Sequence, residues 1–290
     1  MLAASAVEVN RKRALKCLDE LEPFSPVMGR LLGSLSADPD TISMNAIGNL
    51  IEKDTILSGK VLALANSALY GRSTEIVSVH RAVARLGIGK IRNTVLALSI
   101  NRVWNNAKTP TYWSMLRFNL HSLATAVAAD LLSAKLKVQF AEGAFIAGLF
   151  HDVGRLIMAV MLQHDYETIC NCAETEKSET VQREREMLGF DHSDLSADIL
   201  GHWRLPTQIQ TAVVFHECPE KDKTVVPPSF IKLSRIIHTA DRYAVALGLS
   251  IGESCNLEEE DPLELLGTSE EQMKLLPQFR TEFDLIRSFM

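Results

Sequence analysis

Apolar residues recur every three or four positions along most of the chain, the period of helices with one buried face. A short lead-in helix is expected over 9–19. Ser25-Pro26 then reads as an N-cap with a first-turn proline, followed by Val27, Met28, Leu31, Leu32 and Leu35 at helical spacing. Ile47, Leu50 and Ile51 mark the next helix. Asp54 caps another that carries Ile56, Val61, Leu62, Ala65 and Leu69 and closes at Gly71. Ser78 caps one with Val79, Ala82, Val83 and Leu86, stopped by Gly87, and a further helix covers 90–104. Past the polar segment NNAKTPTY around Pro110, helices are expected over 111–134, through 144–158, from Asp191 or Ser193 to Trp203, from Pro206 to His216, over 228–248 and over 269–289. The stretch 163–187 reads as polar, and KDKTVVPP as a surface loop. No run alternates apolar with polar residues, so the expected class is all-α, with no sheet of three or more strands. The turn at Pro110 suggests three parts: an N-terminal helical subdomain over 1–108, a second helical subdomain over 109–250, and an acidic helical C-terminal extension over 251–290.

Composition narrows this picture. The chain has 290 residues and is 47% hydrophobic, enough for one large or two medium domains with a real core. A formal net charge of −6 and a pI near 5.8 argue against a nucleic-acid partner, which calls for a basic face. The five cysteines are odd in number and show no CxxC. Cys170 and Cys172 stand two positions apart, a spacing that suits neither a zinc ribbon nor a redox pair. All five therefore read as reduced thiols. At the start, MLAASAVEVNRKRA puts its apolar residues before its charges, the wrong order for a secretory leader. No stretch reaches the roughly 18 uninterrupted apolar residues of a membrane span. The expectation is a cytoplasmic protein with no membrane partner.

The candidate chemistry lies in AFIAGLFHDVGRLIM, residues 144–158. His151 and Asp152 interrupt a run too apolar for a surface helix. A carboxylate there is costly to bury unless it is paired or holds a metal. Gly148 and Gly154 bracket the pair and suggest close backbone approach or a helix break. Four other residues place a metal-binding side chain on an otherwise apolar or small-residue stripe: His121, with Phe118, Ala124 and Ala128; His216, with Ala212 and Val213; Asp241, with Ile237, Ala244 and Val245; and His192, opening a helix with Leu195 and Leu200. Imidazoles with carboxylates suit iron, manganese, zinc or nickel rather than magnesium or calcium. The competing reading is a metal-free polar cluster in which the histidines donate to the aspartates. Arg155, at i+3 from Asp152, is a rival partner for that carboxylate. A second dipeptide, His164-Asp165, lies in polar QHDYET and reads as a solvated decoy. ANSALYG, 65–71, reads as a helix C-cap built on Asn66, Ser67 and Gly71. Arg81, Arg85, Lys90 and Arg92 read as a solvated basic face.

The order of these motifs resembles the HD-domain superfamily of metal-dependent phosphohydrolases, and most closely its HDOD branch, an HD-related output domain of bacterial signal transduction. FNLHSLATAVAADLL, AFIAGLFHDVGRLIM, LGFDHSDLSADILGHWRLPTQIQTAVVFHE and IIHTADRYA resemble the HD-like part. DPDTISMNAIGNLIEKDTILSGKVLALANSALYGRSTEIVSVHRAVARLGIGKIRNTVLAL resembles the N-terminal helical part. The resemblance implies an HD-like helical bundle with an added N-terminal helical subdomain. It also implies a metal held by His121, His151, Asp152 and Asp241. The dinuclear HD-GYP enzymes use further histidines, which His192 and His216 resemble, with Asp152 bridging; one or two ions are thus implied. The chain departs from those enzymes in having Glu217 after His216, no GYP segment, and Arg117 where some place a glutamate. Hydrolysis of cyclic-di-GMP is therefore not expected, no catalytic residue is assigned, and Glu217 and Arg155 stand as accessory candidates. The expected function is an output module acting on a signalling protein partner. The alternative is a metal-dependent phosphohydrolase or phosphodiesterase acting on a nucleotide or cyclic dinucleotide. A metal or redox sensor without turnover is a third reading.

Overall fold

The computed structural model describes residues 4–16, 26–33, 43–71, 74–104, 108–176, 180–252, 264–266 and 269–290. In chain order its helices are α1 (Ala4–Leu15), α2 (Pro26–Gly33), α3 (Met44–Ile51), α4 (Thr55–Asn66), α5 (Val79–Leu86), α6 (Ile88–Trp104), α7 (Met115–Lys135), α8 (Ala144–Phe150), α9 (Val153–Met161), α10 (Gln163–Glu176), α11 (Thr180–Leu188), α12 (His192–His202), α13 (Thr207–Val214), α14 (Leu233–Ala246) and α15 (Ser269–Arg287). The fold is all-α. Among the described residues the one β-type contact is an isolated parallel bridge between Val138 and Ile231. Two compact units divide the chain. One comprises Met1–Leu21 and Asn106–Leu275, the other Glu22–Asn105 and Leu276–Met290.

In the larger unit, α7 packs on α8 and α14, and α12 packs on α9 and α13. The sequence of α7 explains its place. Phe118, Leu123, Ala124, Ala126, Val127, Ala128, Ala129 and Leu132 are all buried, and the alanines let neighbouring backbones come close. Gly148 on α8 is what closes that approach. A Cβ there would stand 2.8 Å from Ala126 Cα. Likewise a Cβ on Gly154 of α9 would meet the His192 carbonyl oxygen at 2.2 Å, so α9 can lie on α12 only with glycine at that point. The apolar run 144–158 is indeed broken: α8 ends at Phe150, His151 and Asp152 form a turn, and α9 restarts at Val153. By length and composition Ala141–Met161 could cross a membrane, but 83% of its most apolar window is buried inside this unit.

Several expectations change. The first helix begins at Ala4 rather than near residue 9. The stretch 163–187 is not simply polar. It forms α10 and α11, whose buried stripes include Tyr166 and Ile169 on one and Glu184 and Leu188 on the other. In the smaller unit, α4 ends at Asn66 and not at Gly71. The Asn66 amide instead clamps the returning chain, donating to the Ile76 carbonyl and accepting from the Ile76 N–H, both at 2.8 Å. Of the basic residues Arg81, Arg85, Lys90 and Arg92 on α5 and α6, Arg81 is exposed as expected, and the other three are not part of a solvated face. Arg85 donates to the Ala65 and Thr74 carbonyls, Lys90 pairs with Glu282, and Arg92 is buried.

Candidate metal centre

The broken helix aims two side chains at one point. His151 is the last residue of the α8 turn and Asp152 the residue before α9. Both are buried, at 0% and 3% exposure. From α7, His121 brings its Nε2 to 3.2 Å from His151 Nε2 and 3.6 Å from Asp152 Oδ2. From α14, Asp241 brings Oδ1 to 3.1 Å from His121 Nε2 and 3.7 Å from His151 Nε2. Metal–ligand bonds of about 2 Å place neighbouring donor atoms roughly 3–4 Å apart, so His121, His151 and Asp152 stand near the spacing of ligands around one ion, with Asp241 Oδ1 close to both imidazoles. All four residues singled out in the sequence thus converge.

Each histidine is also oriented from behind. His121 Nδ1–H donates to the Leu249 carbonyl at 2.8 Å, and His151 Nδ1–H to the Gly148 carbonyl at 2.7 Å. His216 Nδ1–H donates to the Val213 carbonyl at 2.7 Å. A carbonyl only accepts, so each ring carries a proton on Nδ1 and turns Nε2 toward the centre. That is the arrangement metal-bound histidines use to fix tautomer and orientation.

A second donor set lies on the other side of Asp152. His192, at the start of α12, places Nε2 at 3.1 Å from Asp152 Oδ1, and His216 places Nε2 at 3.7 Å from the same oxygen. Asp191 caps α12 in a reciprocal capping box with Asp194, which fixes where His192 begins. Glu217 adds Oε1 at 3.2 Å from His192 Nε2 and 3.8 Å from His216 Nε2. Asp152 therefore faces both sets, Oδ2 toward one and Oδ1 toward the other. Arg155 contacts the second set, its Nε 3.2 Å from Asp152 Oδ1 and its guanidinium 3.3 Å from Glu217 Oε1.

One functional residue escaped sequence reasoning. Glu184 on α11 is fully buried and accepts from both the backbone N–H and Nδ1 of His192, at 2.9 and 2.7 Å. It orients His192 as the carbonyls orient the other rings. His164 is exposed on α10 and takes no part, as its polar setting predicts.

The electrostatics favour positive charge in this cluster. Burial pushes the Asp241 carboxyl up, but hydrogen bonds and charge from His121 and His151 hold it well below the usual carboxylate range. Burial likewise opposes Asp152, yet Arg155, His151 and His192 hold it well below its ordinary value. Glu217 is pulled down to about 2 by His192, His216 and Arg155 against the upward push of burial. Burial lowers His216 below the ordinary imidazole value. The carboxylates thus stay ionised, with Arg155 and the histidines supplying the positive charge that burial makes necessary.

The residues fit a metal on structural grounds alone. Two triads of donor atoms, His121–His151–Asp152 and Asp152–His192–His216, each lie within 4.8 Å of one another and are buried. In the second triad His216 Nε2 is buried with no hydrogen-bond partner, while Asp152 Oδ1 has His192 Nε2 and Arg155 Nε at 3.1 and 3.2 Å. Imidazole nitrogen with carboxylate oxygen is the donor chemistry of a transition metal.

Comparison with known proteins shows the family and the fold. The sequence pattern of the HDOD domain matches residues 21–219. An HDOD domain protein of unknown function from Geobacter sulfurreducens is 22% identical, superposes with a TM-score of 0.71 and is covered over 97% of both chains. A protein from Marinobacter aquaeolei VT8, provisionally named for signal transduction, is 19% identical with a TM-score of 0.71 over 98% of this chain and 64% of that one. A Shewanella amazonensis SB2B protein, provisionally named a metal-dependent phosphohydrolase, is 17% identical with a TM-score of 0.59 over 98% and 99%. An uncharacterized protein of Treponema pallidum (strain Nichols) is 23% identical over 235 residues, 74% of this chain. The chain spans 42% of that relative's length.

Proposed function

The chain belongs to the HDOD domain family, and on that premise we propose that it is a bacterial signal-transduction output module with a retained, metal-binding HD centre. Its output passes through contact with a signalling protein partner. One observation carries the metal reading: His121 and His151, each donating Nδ1–H to a backbone carbonyl, turn Nε2 toward each other and toward Asp152 and Asp241, all within 3.7 Å. A structurally similar Marinobacter protein named for signal transduction supports the signalling reading. When bound, a transition-metal ion would supply Lewis acidity toward a phosphoryl group or a water. His121, His151, Asp152 and Asp241 would hold it. Leu249, Gly148 and Glu184 orient the rings, and Arg155 balances the charge of Asp152 and Glu217.

A second reading, a metal-dependent phosphohydrolase, is favoured by where the centre meets solvent. The side chains of Asp241, Arg155 and Glu217 are 16%, 20% and 29% exposed, whereas those of His121, His151, Asp152, His192 and His216 are at most 4% exposed. A phosphate ester entering there would reach a guanidinium and the metal ligands together. Two assays separate these readings. Metal analysis of wild type against His151→Ala should show an ion lost in the variant. Turnover of a generic phosphodiester such as bis(p-nitrophenyl) phosphate, with manganese or iron supplied, should not exceed the His151→Ala level if output is by contact. Turnover well above that control supports the hydrolase. Cyclic-di-GMP should stay intact in the same assay.

A further inference from the structure

The two donor sets that share Asp152 differ in one residue, Arg155. It lies three positions after Asp152 on α9. Its Nε is 3.2 Å from Asp152 Oδ1, and its terminal nitrogen is 3.3 Å from Glu217 Oε1 and 3.5 Å from His192 Nε2. One guanidinium thereby touches three of the four donor atoms of the second set. The first set has no such cation. Among the described residues, the ion-pair contacts of Asp241 are to His121 and His151.

We propose that the Arg155 guanidinium stands in place of a second metal ion, so that the chain holds one divalent transition-metal ion, on His121, His151, Asp152 and Asp241. The proposal rests on the metal reading above and deepens it. An ion bonded at about 2 Å to Asp152 Oδ1, His192 Nε2 and Glu217 Oε1 would stand against nitrogens only 3.2–3.5 Å from those same atoms. Two positive charges would then stand within a few ångströms of each other at the partly buried edge of the centre. The guanidinium is always charged and lies 3.2 Å from Asp152 and 3.3 Å from Glu217, so it sets one fixed positive charge between the two carboxylates without a metal. The ligands themselves remain in place. His216 Nε2 is buried, lacks a hydrogen bond and lies 3.7 Å from Asp152 Oδ1. The second site therefore needs the guanidinium removed, and no ligand rebuilt.

The test is the number of ions per chain. Wild type, Arg155→Met and Arg155→Gln are each loaded with Mn2+, freed of excess and measured by elemental analysis, with low-temperature electron paramagnetic resonance reporting coupled manganese pairs. The expected result is one ion and an uncoupled signal in wild type, and two ions with a coupled signal in both variants. Arg155→Gln keeps a polar side chain, so either soluble variant suffices. Two ions in wild type overturn the proposal, as does a count that stays at one in the variants. No ion in any of the three would instead defeat the metal reading itself, a result separable from the other two.

Discussion

The two sides of Asp152 are built from nearly the same parts and are set for different work. On one side, two carbonyl-anchored histidines face Oδ2, and Asp241 contacts both imidazoles. On the other, two histidines and Glu217 surround Oδ1, and a guanidinium lies among them. Residue type and spacing do not separate the sides. What separates them is the third residue after Asp152. A carboxylate at the turn between α8 and α9 can face two ways, and an arginine three positions on settles the charge on one of them. On the proposal above, the nearest cation and not ligand identity alone sets the metal count.

The largest effect expected is at the shared carboxylate. An ion present at about 100 times its Kd adds about 2.7 kcal/mol to the folded state, and each kcal/mol moves Tm by about 2–4 °C in a domain of this size. Chelator should lower the Tm of metal-loaded wild type by about 5–10 °C, and should not move that of Asp152→Ala. Next comes the contrast between the sides. His151→Ala should weaken metal binding by about 100-fold or more, and His192→Ala by no more than about tenfold, measured by competition with a fluorescent chelator. Equal losses would erase the difference between the sides.

Two glycines sharpen the comparison through packing. Gly148→Ala drives a methyl into Ala126 on α7, the helix that carries His121. Gly154→Ala drives one into the His192 carbonyl on α12. Each should cost about 1–3 kcal/mol in urea unfolding, but only Gly148→Ala should also weaken the ion. The smallest effect is expected from Asp191→Ala. It removes the N-cap that starts α12 and should cost about 1 kcal/mol with little change in metal affinity.

Much of this was legible in the sequence, and the residues show why. The helices followed from apolar periodicity, and the break at His151-Asp152 from a buried carboxylate between two glycines. His121, His192, His216 and Asp241 stood out because each is a ligand type on an apolar or small-residue stripe. Glu184 did not, because its helix TVQREREML is charged on most faces. Its signal was there in the stripe Val181, Glu184 and Leu188, an acid at i between apolar residues at i−3 and i+4. Leu249 acts through its carbonyl, which carries no side-chain signature at all. Arg155 was legible as a partner of Asp152 three residues away, but its reach to Glu217 depends on how α9 and the end of α13 lie together, which spacing does not encode. The same limit applies to Asn66. Its position after an apolar helix suggests a cap, and only the returning chain at Ile76 reveals the clamp.

X-ray absorption at the metal edge of loaded wild-type protein tests the central claim most directly. The account predicts a first shell of nitrogen and oxygen at about 2.0–2.2 Å, with the multiple-scattering signature of two imidazoles and no metal–metal vector. A metal–metal vector at about 3.5–4 Å, as in two-metal sites, or a shell without imidazole scattering, would contradict it.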